Sequence, residues 1–371
     1  MRILYYFQEL STAMFKWQYT HWIDELRRRG FVIDIVNPLS YKCPEEANEQ
    51  LLLHMKKNKY DLFFTNVCYY KMLFIETIKS IKISGVPTLC FRCDNLVIPY
   101  NDEVLAPYFD LLWLTSIETK HIYDKWKCKS FFAPYAANPY TFSYTPSEIK
   151  RRAVFIGTPY GSRTVMINSF TNNDIPVDLY YSKTSKVHLP NNDDIRYNIL
   201  SPNKYTVLMN RLRFKEGRKL LYGKIMNSYK KTSSLDYNNM LNQYPAVNPA
   251  ELSAYYSSYA LSIASTSAGN TDILKNPLKI INLRNFEIPM SGGIEFCKYN
   301  SELAEYFEDG REIVFYHDQS ELVDKANYYL NSASDKHLLE MKMAARKRSE
   351  SEHTWFNRFS IAFEILGLHE K

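Results

Sequence analysis

Short apolar runs, each followed by a stretch patterned for a helix, recur along this chain, and that alternation leaves few folds open. Residues 2–7 (RILYYF) lead into a helix ending at Arg29, with Phe15, Tyr19, Trp22 and Leu26 at helical spacing and Gly30 as its stop. A strand from Phe31 to Val36 completes a β-α-β opening. The pattern continues with helix 44–58, strand 60–66, helix 71–83, strand 86–92, strand 110–115, helix 117–126 and strand 129–134. Strands alternating with helices imply a parallel sheet covered on both faces. Such sheets hold ligands at the carboxyl ends of their strands, so loops 8–14, 67–70, 92–101 and 115–118 are the ones to watch. The first half has no G-x-G-x-x-G, which argues against a dinucleotide held after the first strand.

A length of 371 residues with 46% hydrophobic residues suffices for two such cores. The uncharged, proline-bearing segment Tyr135 to Pro146 reads as the linker between them. Strand 152–156 then restarts the alternation, with helix 164–172, strand 176–181, helix 248–257 and strand 259–264 after it. The fold class expected is α/β, two Rossmann-like doubly wound parallel-sheet domains: residues 1–145, then 146–353 with an insert at about 182–246, then a closing helix within 354–371. Trp355, Phe359 and Phe363 give that helix one apolar face.

The densest chemistry lies between Asn282 and Tyr316. Arg284 and Glu287 stand one helical turn apart just before Ser291-Gly292-Gly293, where absent Cβ atoms would let backbone approach a ligand. A helix starting near Asn285 would aim its free N–H groups the same way as Arg284, which suits a diphosphate. A carboxylate beside such a site suits the paired hydroxyls of a ribose or hexose instead. An ion pair on a solvated helix face would account for the same two residues.

This stretch resembles the C-terminal signature of the glycosyltransferases related to the spore-maturation protein CgeB, within the two-domain GT-B class. The matching run is Arg284-x-x-Glu287, the Gly-Gly turn, a strand, a short acidic helix from Ser301 to Phe307, Asp309-Gly310, a strand from Glu312 to Tyr316 and a helix opening at Asp318. The likeness extends more weakly over most of the chain. It implies two domains facing a cleft, with the first on the acceptor side and Glu287 on the ribose of a nucleotide-sugar donor. Relatives also carry a Gly-x-x-x-Gly-x-Arg, matched here by Gly157, Gly161 and Arg163, which places Gly157 and Arg163 near the donor phosphates. The loop from Ser265 to Asn276 precedes the signature, and its small polar residues Gly269, Asn270 and Thr271 are candidates for contacts with the sugar. Glu287 and Glu295 are spaced E-x7-E, the mark of a large retaining family. Aligned through Gly-Gly and Asp-Gly, however, Glu287 takes the second glutamate position, the first falls on Lys279, and Glu295 falls in a strand.

The reaction implied is glycosyl transfer from a nucleotide diphosphate sugar to a hydroxyl of a glycan or lipid-linked acceptor. Arg284, Arg163 and the backbone around Ser291-Gly292 would stabilise the leaving diphosphate. An inverting enzyme also needs a base from the first domain, for which Asp94 and then Glu9 are the candidates; a retaining one does not. No cofactor and no metal is expected, since the paired Asp-x-Asp of the metal-dependent GT-A type is absent. The six cysteines lack framework spacing, and the C-x-x-C of Cys90 and Cys93 ends a strand rather than opening a helix and has no second pair, which argues against a redox or zinc role. No apolar run is long enough to span a bilayer and the first residues read as a strand rather than a signal peptide, so a cytoplasmic protein is expected.

Residues 204–231 carry nine cations and one carboxylate, a net of +8 against +6 for the whole chain. With Leu208, Leu212, Leu221, Ile225 and Tyr229 as an apolar stripe, they read as a basic amphipathic helix. It could pack on the sheet with its cations in water, or meet an anionic membrane surface or acceptor. The stretch matches no nucleic-acid-binding module, and no nucleic-acid partner is expected. Two other readings stay open: a nucleotide-sugar-binding protein without catalysis, and a membrane-surface adaptor. A GT-B-shaped epimerase is a third.

Overall fold

The computed structural model describes residues 1–9, 17–93, 95–182, 203–230 and 234–368. Its described residues fall into two compact units, one made of Met1–Pro134, residues 203–218 and Trp355 onward, the other of 135–182 and Lys219–Thr354. Each is organised on a six-stranded parallel sheet with the strand order of a doubly wound fold.

In the first unit the order is β2-β1-β3-β4-β5-β6, with β1 Arg2–Tyr6, β2 Val32–Val36, β3 Leu62–Thr65, β4 Thr88–Arg92, β5 Leu111–Leu114 and β6 Ser130–Phe132. Their near-continuous apolar runs follow from burial on both faces: β3, β4 and β5 are buried at every position. Crossover helices Pro44–Lys57, Ile75–Ile83 and Lys120–Lys125 stand within the expected stretches. The first helix departs from expectation. Among its described residues a π turn, Tyr19–Ile23, is kinked at His21 and followed by a short α segment, Asp24–Arg28. One face of this sheet is covered by aromatics that include the closing helix Trp355–Leu366. Trp355 meets Trp22 edge-on at 5.0 Å, and Phe359 meets Phe64 at 5.1 Å and Trp113 at 5.2 Å. The Trp355 indole N–H donates to His21 Nδ1 at 2.9 Å, and its backbone N–H donates to the buried carboxylate of Glu25. Removing such a ring costs about 3–5 kcal/mol.

The second sheet runs β12-β11-β10-β7-β8-β9. Its strands are β7 Lys150–Ile156, β8 Val177–Tyr180, β9 Leu241–Tyr244, β10 Tyr259–Ile263, β11 Glu295–Lys298 and β12 Val314–Tyr316. β7 and β10, side by side at the centre, are followed by the two loops singled out in the sequence. The stretch expected as one helical insert is instead the crossover between β8 and β9. It holds helices Lys204–Leu212 and Lys215–Tyr229 and then β9, which pairs with β8 as a parallel edge strand. Residues 183–202 and 231–233 of that stretch lie outside the described residues.

The expected boundary at 145/146 also moves. The compact division falls at Pro134/Tyr135, because the supposed linker is fastened inside the second unit. Arg346, nearly buried on helix Asp335–Glu352, donates to the carbonyls of Pro139 at 3.0 Å, Phe142 and Met290. Ser253 Oγ donates to the carbonyl of Ser143. An uncharged, proline-bearing run thus reads as a linker in the sequence while two of its carbonyls, those of Pro139 and Phe142, are satisfied by one buried guanidinium.

Candidate functional site

The site lies at the carboxyl ends of β7 and β10 and is built within the second unit. After β7 the chain turns through Gly157 and Gly161 into helix Ser162–Thr171. Gly157 holds φ +139° and donates its N–H to the carbonyl of Tyr180 at 2.8 Å. The space a Cβ would need there is filled by the guanidinium of Arg284. Gly161, at φ +58°, is equally obligatory, since its Cβ space belongs to the carboxamide of Asn270. The loop after β10 is tied to the same turn by Ser162 Oγ, which donates to the carbonyl of Gly269 at 2.8 Å.

Arg284 opens helix Arg284–Met290, one residue earlier than expected. The start is fixed by Asn285, whose side-chain oxygen accepts the N–H of Asn282 at 2.6 Å and whose amide donates to the buried carboxyl of Glu295 in β11. The Arg284 guanidinium stands over the ring of Phe155, 5.8 Å from its centroid. Arg163 stacks on Tyr160 at 4.5 Å and donates to the carbonyl of Thr158 at 3.3 Å. Burial, and after it the positive charge of Arg284, push the Arg163 guanidinium below its ordinary value. Among the described residues neither arginine has a carboxylate ion pair, so two like charges are held together at the ends of the central strands. Such an arrangement costs energy until an anion supplies the missing charge.

Glu287 shares the Arg284 face of its helix and is almost fully buried. Both act on the Tyr256 phenol, which burial pushes up, Arg284 pulls back and Glu287 raises. Gly157, Arg163, Gly269, Asn270 and Arg284 are therefore brought together, with Glu287 one turn along from Arg284. Tyr160, Ser162 and Tyr256 join them and were missed. Their signal, a polar or aromatic residue beside a turn glycine, is too common to single out.

Three expectations are corrected. Gly292 and Gly293 are required by packing rather than by ligand approach: the Cβ space at Gly292 is occupied by the Tyr144 ring, and that at Gly293 by Ile288 and the carbonyl of Tyr256. The N–H groups of Ser291, Gly292 and Gly293 donate to the carbonyls of Glu287, Pro289 and Ile288. They cap the C-terminal end of the helix, where the dipole is negative, and are spent for a diphosphate. Thr271 is fully buried, with Oγ1 donating to the carbonyl of Ala268 at 2.7 Å and accepting the N–H of Leu278; it closes its own loop. Glu295 does stand in a strand, as the alignment implied, and burial pushes its carboxyl up to about 8.

In the first unit Glu9 follows β1 and is half-buried. Its carboxylate accepts the Tyr19 hydroxyl at 3.0 Å, and its backbone N–H donates to the side-chain oxygen of Asn37 at 3.2 Å. Burial together with Glu9 pushes Tyr19 up to about 12. Asp94 lies outside the described residues. Its neighbour Asn95 is fully buried, accepting from the N–H groups of Thr115 and Ser116 and donating to the Ser116 carbonyl and Thr119 Oγ1. Among the described residues no group of three His, Cys, Asp or Glu is placed to hold a metal ion, and no helix is long and apolar enough to cross a membrane.

Two parallel sheets in this order, with the ligand-facing loops so placed, define the GT-B fold of the glycosyltransferases. Residues 207–363 match the family described as glycosyl transferase-like, and the enzyme class is that of the glycosyltransferases. The whole chain is similar in fold to solved structures at low identity. An alpha-glucosyltransferase in complex with UDP and a DNA 13-mer containing an HMU base is 11% identical, with a TM-score of 0.61 and 99% of each chain covered. Sucrose-phosphate synthase from Thermosynechococcus elongatus is 11% identical, with a TM-score of 0.56, 99% of this chain and 100% of that one. HepE from Anabaena in complex with UDP is 10% identical, with a TM-score of 0.56 and the same coverage. No curated protein matches by sequence.

Proposed function

We propose that this chain moves a glycosyl group from a nucleotide diphosphate sugar to a hydroxyl on a glycan or lipid-linked acceptor, without a metal ion. The observation that carries the reading is the pair Arg163 and Arg284, two guanidinium groups without a carboxylate partner among the described residues, set at the ends of β7 and β10. When the anomeric carbon–oxygen bond breaks, negative charge grows on the departing diphosphate, and two pre-positioned cations stabilise it more than they stabilise the intact donor. Glu287, one turn along from Arg284, holds ribose hydroxyls and fixes the donor for attack. Glu9 or Asp94 accepts the proton of the attacking hydroxyl if the reaction inverts the anomeric centre. Kinship with the CgeB-related enzymes belongs to the same proposal and is supported by the run from Arg284 to Asp318.

A panel of UDP-, GDP-, TDP- and CMP-sugars tested by thermal shift, with UDP donors first because HepE and the alpha-glucosyltransferase were solved with UDP, checks the proposal. One nucleotide class should raise the melting temperature, and both Arg284→Ala and Glu287→Ala should abolish the shift. A stabilising donor that ignores both substitutions would overturn the site. Bound donor that is never consumed, with acceptors of several kinds supplied, would leave a binding protein in place of an enzyme.

A further inference from the structure

The helix Lys204–Leu212 leaves its apolar face uncovered. Tyr205 is 78% and Met209 64% exposed, and Leu208 and Leu212 are each 42% exposed. Their spacing of i, i+3, i+4 and i+7 puts all four on one side of the helix. The residues that fasten this segment to the first unit are different ones. Arg213 pairs with Glu103 at 2.8 Å, Phe214 packs edge-on against Trp126 at 6.2 Å, and Glu216 lies 3.9 Å from His121. The stripe is thus left over after docking, not engaged in it. Lys215 and Arg218 are exposed beside it and Arg211 is half-exposed, while Glu103 is paired with Arg213 and Glu216 is buried. The next helix, Lys215–Tyr229, also exposes Tyr222, Ile225 and Tyr229 among cations.

We propose that the stripe Tyr205, Leu208, Met209 and Leu212, with the cations around it, is a docking face for an anionic lipid surface. Charge complementarity selects this occupant. A second copy of the chain would bring like charges together, whereas a leaflet of acidic headgroups offers opposite charge outside and hydrocarbon just beneath. Tyrosine fits the same boundary, with its ring in the acyl region and its hydroxyl among headgroups. The inference does not depend on the proposed transfer reaction, since it concerns where the protein sits and not what it binds at β7 and β10.

Co-sedimentation of the full chain with vesicles tests it, using phosphatidylcholine alone and a two-to-one mixture with phosphatidylglycerol. Binding should appear only with the mixture and fall as salt is raised. It should weaken about tenfold in either Leu208→Ser with Met209→Ser or Arg211→Gln with Lys215→Gln. These substitutions are at exposed or half-exposed positions, and an unchanged circular dichroism melt shows that each variant is folded. Absence of binding to the mixture overturns the proposal. So does binding that the Leu208 and Met209 substitutions leave intact and soluble dextran sulfate fully displaces, which would mark a soluble polyanion site. Concentration-dependent dimerisation lost in the same variant would assign the face to a second copy instead.

Discussion

Both sheets end in buried or half-buried arginine, and the two ends treat it in opposite ways. In the first unit Arg92, the last residue of β4, is paired with the fully buried Asp102, its Nε donating at 2.7 Å. It also donates to the carbonyl of Asn66 at 2.8 Å, while the Tyr123 hydroxyl donates to the same Asp102 at 2.5 Å. Burial raises the Asp102 carboxyl and the guanidinium opposes that rise; the charge is paired within the fold. In the second unit Arg163 and Arg284 face each other with no carboxylate ion pair among the described residues. One end is finished as architecture, and the other is left short of negative charge. An arginine at a strand end is therefore no sign of a site until its counter-charge has been located.

The largest expected effect tests the finished end. Asp102→Ala leaves a buried guanidinium unpaired and should lower stability by about 3–5 kcal/mol in urea unfolding. A loss under about 1 kcal/mol would break the contrast, because surface-like pairs behave that way. At the unfinished end, Arg284→Ala should weaken nucleotide-sugar binding about ten- to a hundredfold, equivalent to about 1.5–3 kcal/mol for charged hydrogen bonds. The melting temperature without ligand should hold or rise, because a repulsion is removed; a drop of several degrees would show that Arg284 is structural like Arg92.

Glu295 gives a subtler test. Its folded carboxyl titrates at about 8 and its unfolded one near 4.5, so the native state keeps a proton that the unfolded chain has shed. Stability from this group is complete below about pH 4.5 and is lost as pH rises through 8, by at most about 1.4 kcal/mol per unit. Glu295→Gln should therefore gain on the parent protein between pH 5 and pH 8 in denaturant titrations. A constant difference would mean that the carboxyl is ionised in the fold. The smallest effect belongs to Arg163→Gln, which should cost about 0.5–1.5 kcal/mol of donor affinity by calorimetry, since its guanidinium is partly occupied by Tyr160 and the Thr158 carbonyl.

The alternation of strand and helix was plain in the chain because full burial writes itself as unbroken apolar runs, as in β3 to β5. Arg284 was legible from its one-turn spacing to Glu287 ahead of Gly292-Gly293, and Gly157 and Arg163 from the glycine-bearing turn between a strand and a helix start. The pairing of Arg92 with Asp102 went unseen, because nothing along ten residues announces that a loop will fold back over a strand end. Gly292 and Gly293 misled, since a glycine that yields to Tyr144 looks the same in sequence as one that yields to a ligand. β9 was hidden by its polar composition, Leu-Asn-Gln-Tyr, which an edge strand tolerates.

The covering of the first sheet by Trp355 and Phe359 has a bearing on how the molecule is made. A ribosome delivers residues 1–134 early, but Trp22, Phe64 and Trp113 wait for rings that emerge some 250 to 330 positions later, about 12–67 seconds at usual elongation rates. The sheet that starts first is thus completed last, and the intervening lobe can mature while its elder still shows an oily flank to chaperones.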